Sequence, residues 1–202
     1  MGKVKVKKQD VFIDMTPMSD VMVLLLTFFM LTSTFVKDEP VKVLTPGSVS
    51  EIKVPETNVL SVLVDDKGKI FLEMDKPADM QSALEGMASA FQMDLTKKQI
   101  ETFRKAPAFG VSMNDMEKFL SLKSSELNKF QADKGVPTDS IDGGMSEFQM
   151  WVEQAMLANP EFKLAIKADE RTPYEMVKKI MSELQDMNEN RYYLITSLKT
   201  EE

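Results

Sequence analysis

The 202 residues contain no cysteine, no histidine and a single tryptophan. Without cysteine the chain needs no disulfide chemistry, which suits an extracytoplasmic compartment without demonstrating one. Without histidine it cannot assemble a Ser-His-Asp or Cys-His site, and the usual zinc ligand sets are absent. No glycine-rich loop of the P-loop or dinucleotide kind appears. The loop Asp139-Ser-Ile-Asp-Gly-Gly144 lacks the spacing and closing glutamate of a calcium-binding EF-hand, so it reads as a surface turn. Acidic residues exceed basic ones by 32 to 25, with a pI near 4.9, which argues against a nucleic-acid partner. The expectation is therefore a protein that is not an enzyme and carries no cofactor or metal.

What is present in quantity is one apolar run. From Met18 to Val36 the only charged residue is Asp20. A helix over these residues is roughly 28 Å long, close to the hydrocarbon thickness of a bilayer. A buried helix of a soluble domain would show one apolar stripe, whereas here the apolar residues run all round the helix, which points to lipid. A transmembrane helix over 15–36 is expected.

The flanks orient it. Lys3, Lys5, Lys7 and Lys8 precede the run, and Lys37 is followed at once by Asp38 and Glu39. The lysine-rich segment 1–14 belongs in the cytoplasm by the positive-inside rule, leaving the acidic bulk outside. A cleaved signal peptide also begins with lysines, but its apolar core is shorter, rarely holds an aspartate, and ends in small residues. This run ends in Ser-Thr-Phe-Val-Lys-Asp-Glu-Pro, which favours a retained anchor.

Beyond the anchor, residues 37–57 are rich in Pro, Ser, Thr and charge and read as an extended linker, with short edge strands as the alternative. Residues 58–202 suffice for one domain. Two β-rich runs flank Asp65-Asp-Lys-Gly68, giving a hairpin of strands near 59–65 and 69–73. From Pro77, the residues Met80, Leu84, Met87 and Phe91 recur at helical spacing. Between Thr96 and Gln131 the pattern predicts two helices, the second capped by Asn114, and a further helix over 146–158 carries Phe148, Trp151, Val152 and Met156. The sequence Phe162-Lys-Leu-Ala-Ile-Lys-Ala-Asp169, an amphipathic helix after Thr172-Pro173, and Arg191-Tyr-Tyr-Leu-Ile-Thr-Ser-Leu-Lys199 form a βαβ unit. The fold class is thus a single N-terminal transmembrane helix plus an α+β domain, a small sheet covered on one face by helices.

Asp20 carries the chemical interest. An ionisable residue within a membrane span is costly when charged, and by default it faces a partner or a water-filled cavity. Leaving water favours the neutral form of any carboxyl group, so such a group can take up and release protons. The alternative is structural. With Thr16 as helix cap and Pro17 in the first turn, Asp20 lies near the positive end of the helix dipole and close to water. Thr27 and Thr34 follow at intervals of seven and extend Asp20 into a polar stripe, which suits a protein neighbour or a wet path better than lipid.

The stretch Asp14, Thr16-Pro17, Asp20-Val21-Met22 with the apolar run behind it resembles the anchor signature of the ExbD/TolR family of proton-channel biopolymer transport proteins. The tail from Phe162 to Ile195 is similar to the end of that family's periplasmic domain. The resemblance implies a single-pass protein of the bacterial inner membrane, with its N-terminus cytoplasmic and its domain periplasmic. It implies a homodimer inside a ring of a polytopic ExbB- or TolQ-like protein, with Asp20 carrying the proton; the stripe residues Thr27 and Thr34, together with Ser19, are then the candidates to line its path or face the partner. In the ExbD branch the work passes to a TonB-like protein and outer-membrane transport. In the TolR branch it passes to a TolA-like protein with peptidoglycan contact, and a gliding-type envelope anchor is the related alternative. Residues 92–158 form a helical insertion that typical members lack.

Overall fold

The computed structural model describes residues 14–33, 43–48, 55, 57–140 and 144–198. The lysine-rich start, Thr34, much of the expected linker and residues 141–143 of the glycine loop lie outside the described residues. Two units are distinguished, Met1–Lys37 and Asp38–Glu202.

The first unit contributes one helix, α1 (Thr16–Thr32). No residue of α1 is buried, and its large apolar side chains are at least half exposed, from Leu25 at 50 % to Leu31 at 87 %. Where a span over 15–36 is expected, the helix stops at Thr32. Ser33 turns extended, and its amide donates to the Phe29 carbonyl at 2.9 Å. The 17 residues of α1 rise roughly 25 Å. No helix among the described residues is long and apolar enough to cross a membrane.

The second unit is built on a hairpin. Strands β2 (Val59–Val64) and β3 (Ile70–Met74) pair antiparallel around a turn that Asp65 organises. One Asp65 carboxylate oxygen accepts from the amides of Lys67 and Lys69, while Gly68 supplies the positive φ of +78° that a side chain would resist. Strand β4 (Lys163–Ala168) lies parallel to β2, and β5 (Tyr192–Leu194) lies parallel to β4, giving the order β3-β2-β4-β5. A separate pair joins β1 (Gly47–Ser48) to β6 (Ser197–Leu198), also parallel. Two expectations change here. Part of the expected linker is a strand, and the final strand is divided, with Ser197–Leu198 leaving the main sheet because Gly47–Ser48 offers it a second partner.

Register decides which side chains meet. Leu60 faces Met74 and Leu164, Val62 faces Leu72 and Ile166, and Val64 faces Ile70 and Ala168, so three rows of apolar side chains share one face. Against that face pack α2 (Pro77–Ala90) through Met80, Leu84 and Met87, α6 (Glu147–Ala158) through Phe148, Trp151 and Val152, and α7 (Tyr174–Asp186) through Ile180 and Leu184. The opposite face holds a smaller cluster of Leu63, Phe71 and Ala108, with Val43 against it.

Helices α3 (Lys97–Lys105), α4 (Met113–Ser121) and α5 (Ser124–Gln131) occupy the span 92–158 together with α6. They belong to the same core, since Phe103, Phe119 and Leu127 are buried in it. The Trp151 ring lies 4.6 Å from that of Phe109 and 6.1 Å from that of Phe103, centroid to centroid. Its indole N–H is buried without a hydrogen-bond partner among the described residues. A single helix was expected over 114–131, but the chain breaks at Leu122 and Lys123, both extended. Asn114 is not the cap of α4 either. Its helix begins at Met113, whose amide donates to the buried Glu147 carboxylate at 2.9 Å, so a residue 34 positions away supplies the acceptor.

The free edge of β3 is closed by non-local chain. Leu72 and Phe109 exchange both backbone hydrogen bonds, at 2.8 and 2.9 Å, and the Val136 amide donates to Ile70. Gln131, fully buried at the end of α5, fixes this segment by accepting from the Gly110 amide and donating to the Ala108 carbonyl. Such covering removes an edge that would otherwise template strand pairing with another chain.

Two outcomes follow from this packing. A Cβ at Gly110 would stand 2.2 Å from Phe71 Cδ1 and 2.9 Å from the Ile70 carbonyl oxygen, so Gly110→Ala should destabilise by about 1–3 kcal/mol in urea unfolding. Burial pushes the Glu147 carboxyl above its ordinary value, partly offset by the Met113 amide. Its contribution is therefore fullest below the unfolded-state value, about 4.3, and is lost as pH rises through the higher folded-state value. Glu147→Gln keeps an acceptor for Met113 and should raise the urea midpoint at pH 7 while leaving it unchanged near pH 4.

Candidate functional site

The start of α1 is held by a side chain that precedes it. Asp14 accepts from the Thr16 amide at 3.0 Å and from the Thr16 hydroxyl, and these bonds, hydroxyl first, hold its carboxyl below the usual carboxylate range. Met15 occupies the capping position and makes no side-chain cap, so Thr16 is the first helical residue and Pro17 the second. The start is thus shifted by one residue from the expected Thr16 cap: the Thr16 hydroxyl is engaged by Asp14 instead of turning to the amides of the first turn, and Thr16 itself is helical. Pro17 fits there since amides of the first turn lack intrahelical partners in any case.

One full turn in, Asp20 is the only charged residue of α1. No hydrogen bond or ion pair engages its carboxylate among the described residues. Seven residues rotate a helix by nearly two full turns, so Thr27 lies on the same face about 10 Å further along. The Thr27 hydroxyl donates to the Leu24 carbonyl at 2.9 Å, which leaves its oxygen free to accept from water or a partner. Ser19 is about a quarter turn from this row, and its position is exposed. Of the expected stripe, Asp20 and Thr27 are on one face, and Thr34 lies outside the described residues. Thr32, which the sequence did not single out, donates to the Phe28 carbonyl at 2.8 Å and lies off that face.

The second unit holds a site that sequence reasoning missed. Asp169 ends β4, is nearly buried, and accepts from the Leu44 amide at 2.8 Å and from the Arg171 amide at 3.0 Å. The Glu170 amide donates in turn to the Leu44 carbonyl at 2.8 Å. These bonds tie the segment just before β1 to the turn between β4 and α7. The Arg171 amide above all, then that of Leu44, holds the Asp169 carboxyl below the usual range. The available signal was an aspartate placed directly after an apolar strand, which commonly organises the following turn. That it also captures residue 44 could not be read from spacing.

A family model described as biopolymer transport protein ExbD/TolR matches residues 7–199, a range that includes the segment 92–158. No curated protein gives a match. No solved structure does either.

The Asp169 latch makes a measurable prediction. A carboxyl whose folded-state value is depressed stabilises above its unfolded-state value, about 3.9, and loses that contribution as pH falls through the folded one. Asp169→Ala should speed amide hydrogen exchange at Leu44 by roughly tenfold or more at pH 7. The native chain should show the same loss of protection, after correction for intrinsic rates, only on the acid side of pH 4.

Proposed function

The chain belongs to the ExbD/TolR family of biopolymer transport proteins, and from that membership we propose that it is a subunit of a motor driven by the proton-motive force at the bacterial inner membrane. Members of this family are membrane-anchored envelope proteins that work with ExbB/TolQ-type and TonB/TolA-type partners. In this reading residues 15–36 cross the inner membrane once, with the N-terminus cytoplasmic and residues 58–202 periplasmic. Two such chains stand within a ring of an ExbB-like polytopic protein, and the output goes to a TonB-like protein that energises outer-membrane transport. The role is mechanical and not enzymatic.

The observation that carries this reading is Asp20, the one charged residue of α1, its carboxylate unengaged among the described residues, on a helix whose apolar surface is unburied among them. Neutral, it tolerates apolar surface of a surrounding ring; ionised, it is driven toward a polar or hydrated position. One charge moved through 100 mV of membrane potential releases about 2.3 kcal/mol, comparable with the cost of breaking a few side-chain contacts. Alternation between the two states, coupled to the potential, turns proton passage into displacement of helix against ring. Thr27 and Ser19, and Thr34 by sequence, supply polar atoms along that route.

A TolR-like or gliding-type envelope anchor is the second reading. The helices α3 to α6, which are integral to the core, favour it because they enlarge the surface available to a dedicated partner or to peptidoglycan.

Asp20→Asn should reduce energised outer-membrane uptake to the level of cells lacking the protein, while co-purification with the ExbB-like partner stays intact. Normal uptake by the Asn variant would remove Asp20 from the proton route.

A further inference from the structure

Two adjoining clefts run along one side of α6. The first, about 420 Å³, is lined by Met145, Gln149, Glu153, Glu183, Asp186 and Met187 among others. The second, about 410 Å³, shares Glu153 and Met187 and continues past Met156 and Leu157 to Pro160 and Glu189. Gln149, Glu153, Met156 and Leu157 recur at helical spacing, so one half-buried to exposed row of α6 forms a wall of roughly 12 Å on a helix roughly 18 Å long. The opposite wall is the end of α7 and the turn after it. Two bonds to Glu183 brace the walls together: the Ser146 hydroxyl donates to its carboxylate at 2.6 Å and the Gln149 amide to its carbonyl at 3.1 Å.

The lining has an apolar floor and an acidic rim. Leu157 is 69 % exposed and Met145 38 %, two of the few large apolar residues left open in the folded unit, and Met156 and Met187 are half-buried beside them. Methionine-lined grooves repack readily around a guest side chain. The rim carries Glu153, Glu183, Asp186 and Glu189, and among the described residues no Lys or Arg lines either cleft. Among the described residues Glu153, Asp186 and Glu189 enter no ion pair.

We propose that the groove between α6 and the end of α7 binds a basic amphipathic segment of a partner protein, about three helical turns long. Its apolar residues would seat over Leu157 and the methionines, and its lysines or arginines would meet the four carboxylates. The charge pattern selects this occupant. A second copy of the chain using the same face would bring carboxylates against carboxylates, since a two-fold interface apposes the same patch on both sides. An anionic membrane surface is repelled by the same rim. The groove goes beyond the proton-carrying role and does not depend on it, because it lies in the other unit and concerns binding alone.

The test uses the full chain in neutral detergent. A fluorescein-labelled model peptide, about 14 residues with leucines at helical spacing and lysines flanking them, is titrated by fluorescence anisotropy. Saturable binding is expected, weakened about tenfold by Glu153→Lys or by Leu157→Ser. Both positions are exposed, and an unchanged melting temperature verifies that each variant folds. Glu126→Lys, an exposed acidic position on α5, should leave binding unaltered, and partition of the peptide into micelles is common to all the proteins. Equal binding by the native chain and both groove variants would overturn the proposal. So would equal binding of a peptide of the same composition with its helical period scrambled. A native chain that ignores the peptide, and whose self-association is lost on Leu157→Ser, would also overturn it by assigning the groove to a second copy. Loss of uptake in Asp20→Asn with peptide binding retained, or the converse, separates this inference from the motor reading.

Discussion

The parallel ladder between β2 and β4 is the constraint from which the rest of the folded unit follows. Val59 stands opposite Lys163 and Val64 opposite Ala168, so the strands run side by side in the same direction although some hundred residues separate them. Parallel neighbours cannot be joined by a tight turn, and the chain must leave one end of the sheet and return to the other. Here β3 and the helices α2 to α6 are all contained in that excursion. Closing a longer loop costs only about 0.6 kcal/mol for each doubling of its length. Additional helices are therefore cheap to host, provided they bury enough apolar surface to order themselves. Phe103, Phe119, Leu127 and Trp151 supply that burial, so the helices of this excursion share the sheet's core instead of forming a second one.

Long-range polar contacts then fix what the apolar core leaves undetermined. Hydrophobic burial is non-directional and does not by itself choose where a loop docks or a helix begins. Gln131 settles the docking of Ala108 to Gly110 against β3, Glu147 the start of α4, and Asp169 the position of Leu44. Each is largely or wholly buried and each satisfies a backbone group distant in sequence. A buried acceptor that lost its partner would carry the full desolvation cost, so these three contacts act as discrete constraints instead of weak additions.

The same distinction explains what could be read in the sequence. The hairpin, α2 from Pro77 and the final βαβ unit were legible because their signals are local: Asp65 to Gly68 is a turn, Met80, Leu84 and Met87 keep helical spacing, and β4 is an apolar run. Asp20 and Thr27 were legible for the same reason, since a helix fixes its own face. The break at Leu122 and Lys123 was not, because the residues around it have ordinary helix propensity and packing overrides so weak a preference. Helix α4 begins at Met113, whose amide donates to Glu147, and α1 at Thr16, whose amide and hydroxyl donate to Asp14, so neither expected cap is used. The pairing of Gly47–Ser48 with Ser197–Leu198 joins residues 150 apart, and a two-residue strand leaves no periodicity to detect.

These long-range bonds also decide where a load on the N-terminal side of the folded unit is taken up. At the N-terminal side of the second unit the first described contacts are Val43 on the sheet and Leu44 on Asp169. Displacement carried along the backbone therefore arrives at the turn after β4, a strand central to the sheet, before it reaches the β1/β6 pair. The β1/β6 pair is two residues long and can be opened at little cost, whereas β4 is paired on both sides and buried along most of its length. A pull on residue 43 would thus separate a weak strand pair and a carboxylate latch while the four-stranded sheet stays intact. That ordering of strengths gives the domain a part that yields and a part that holds.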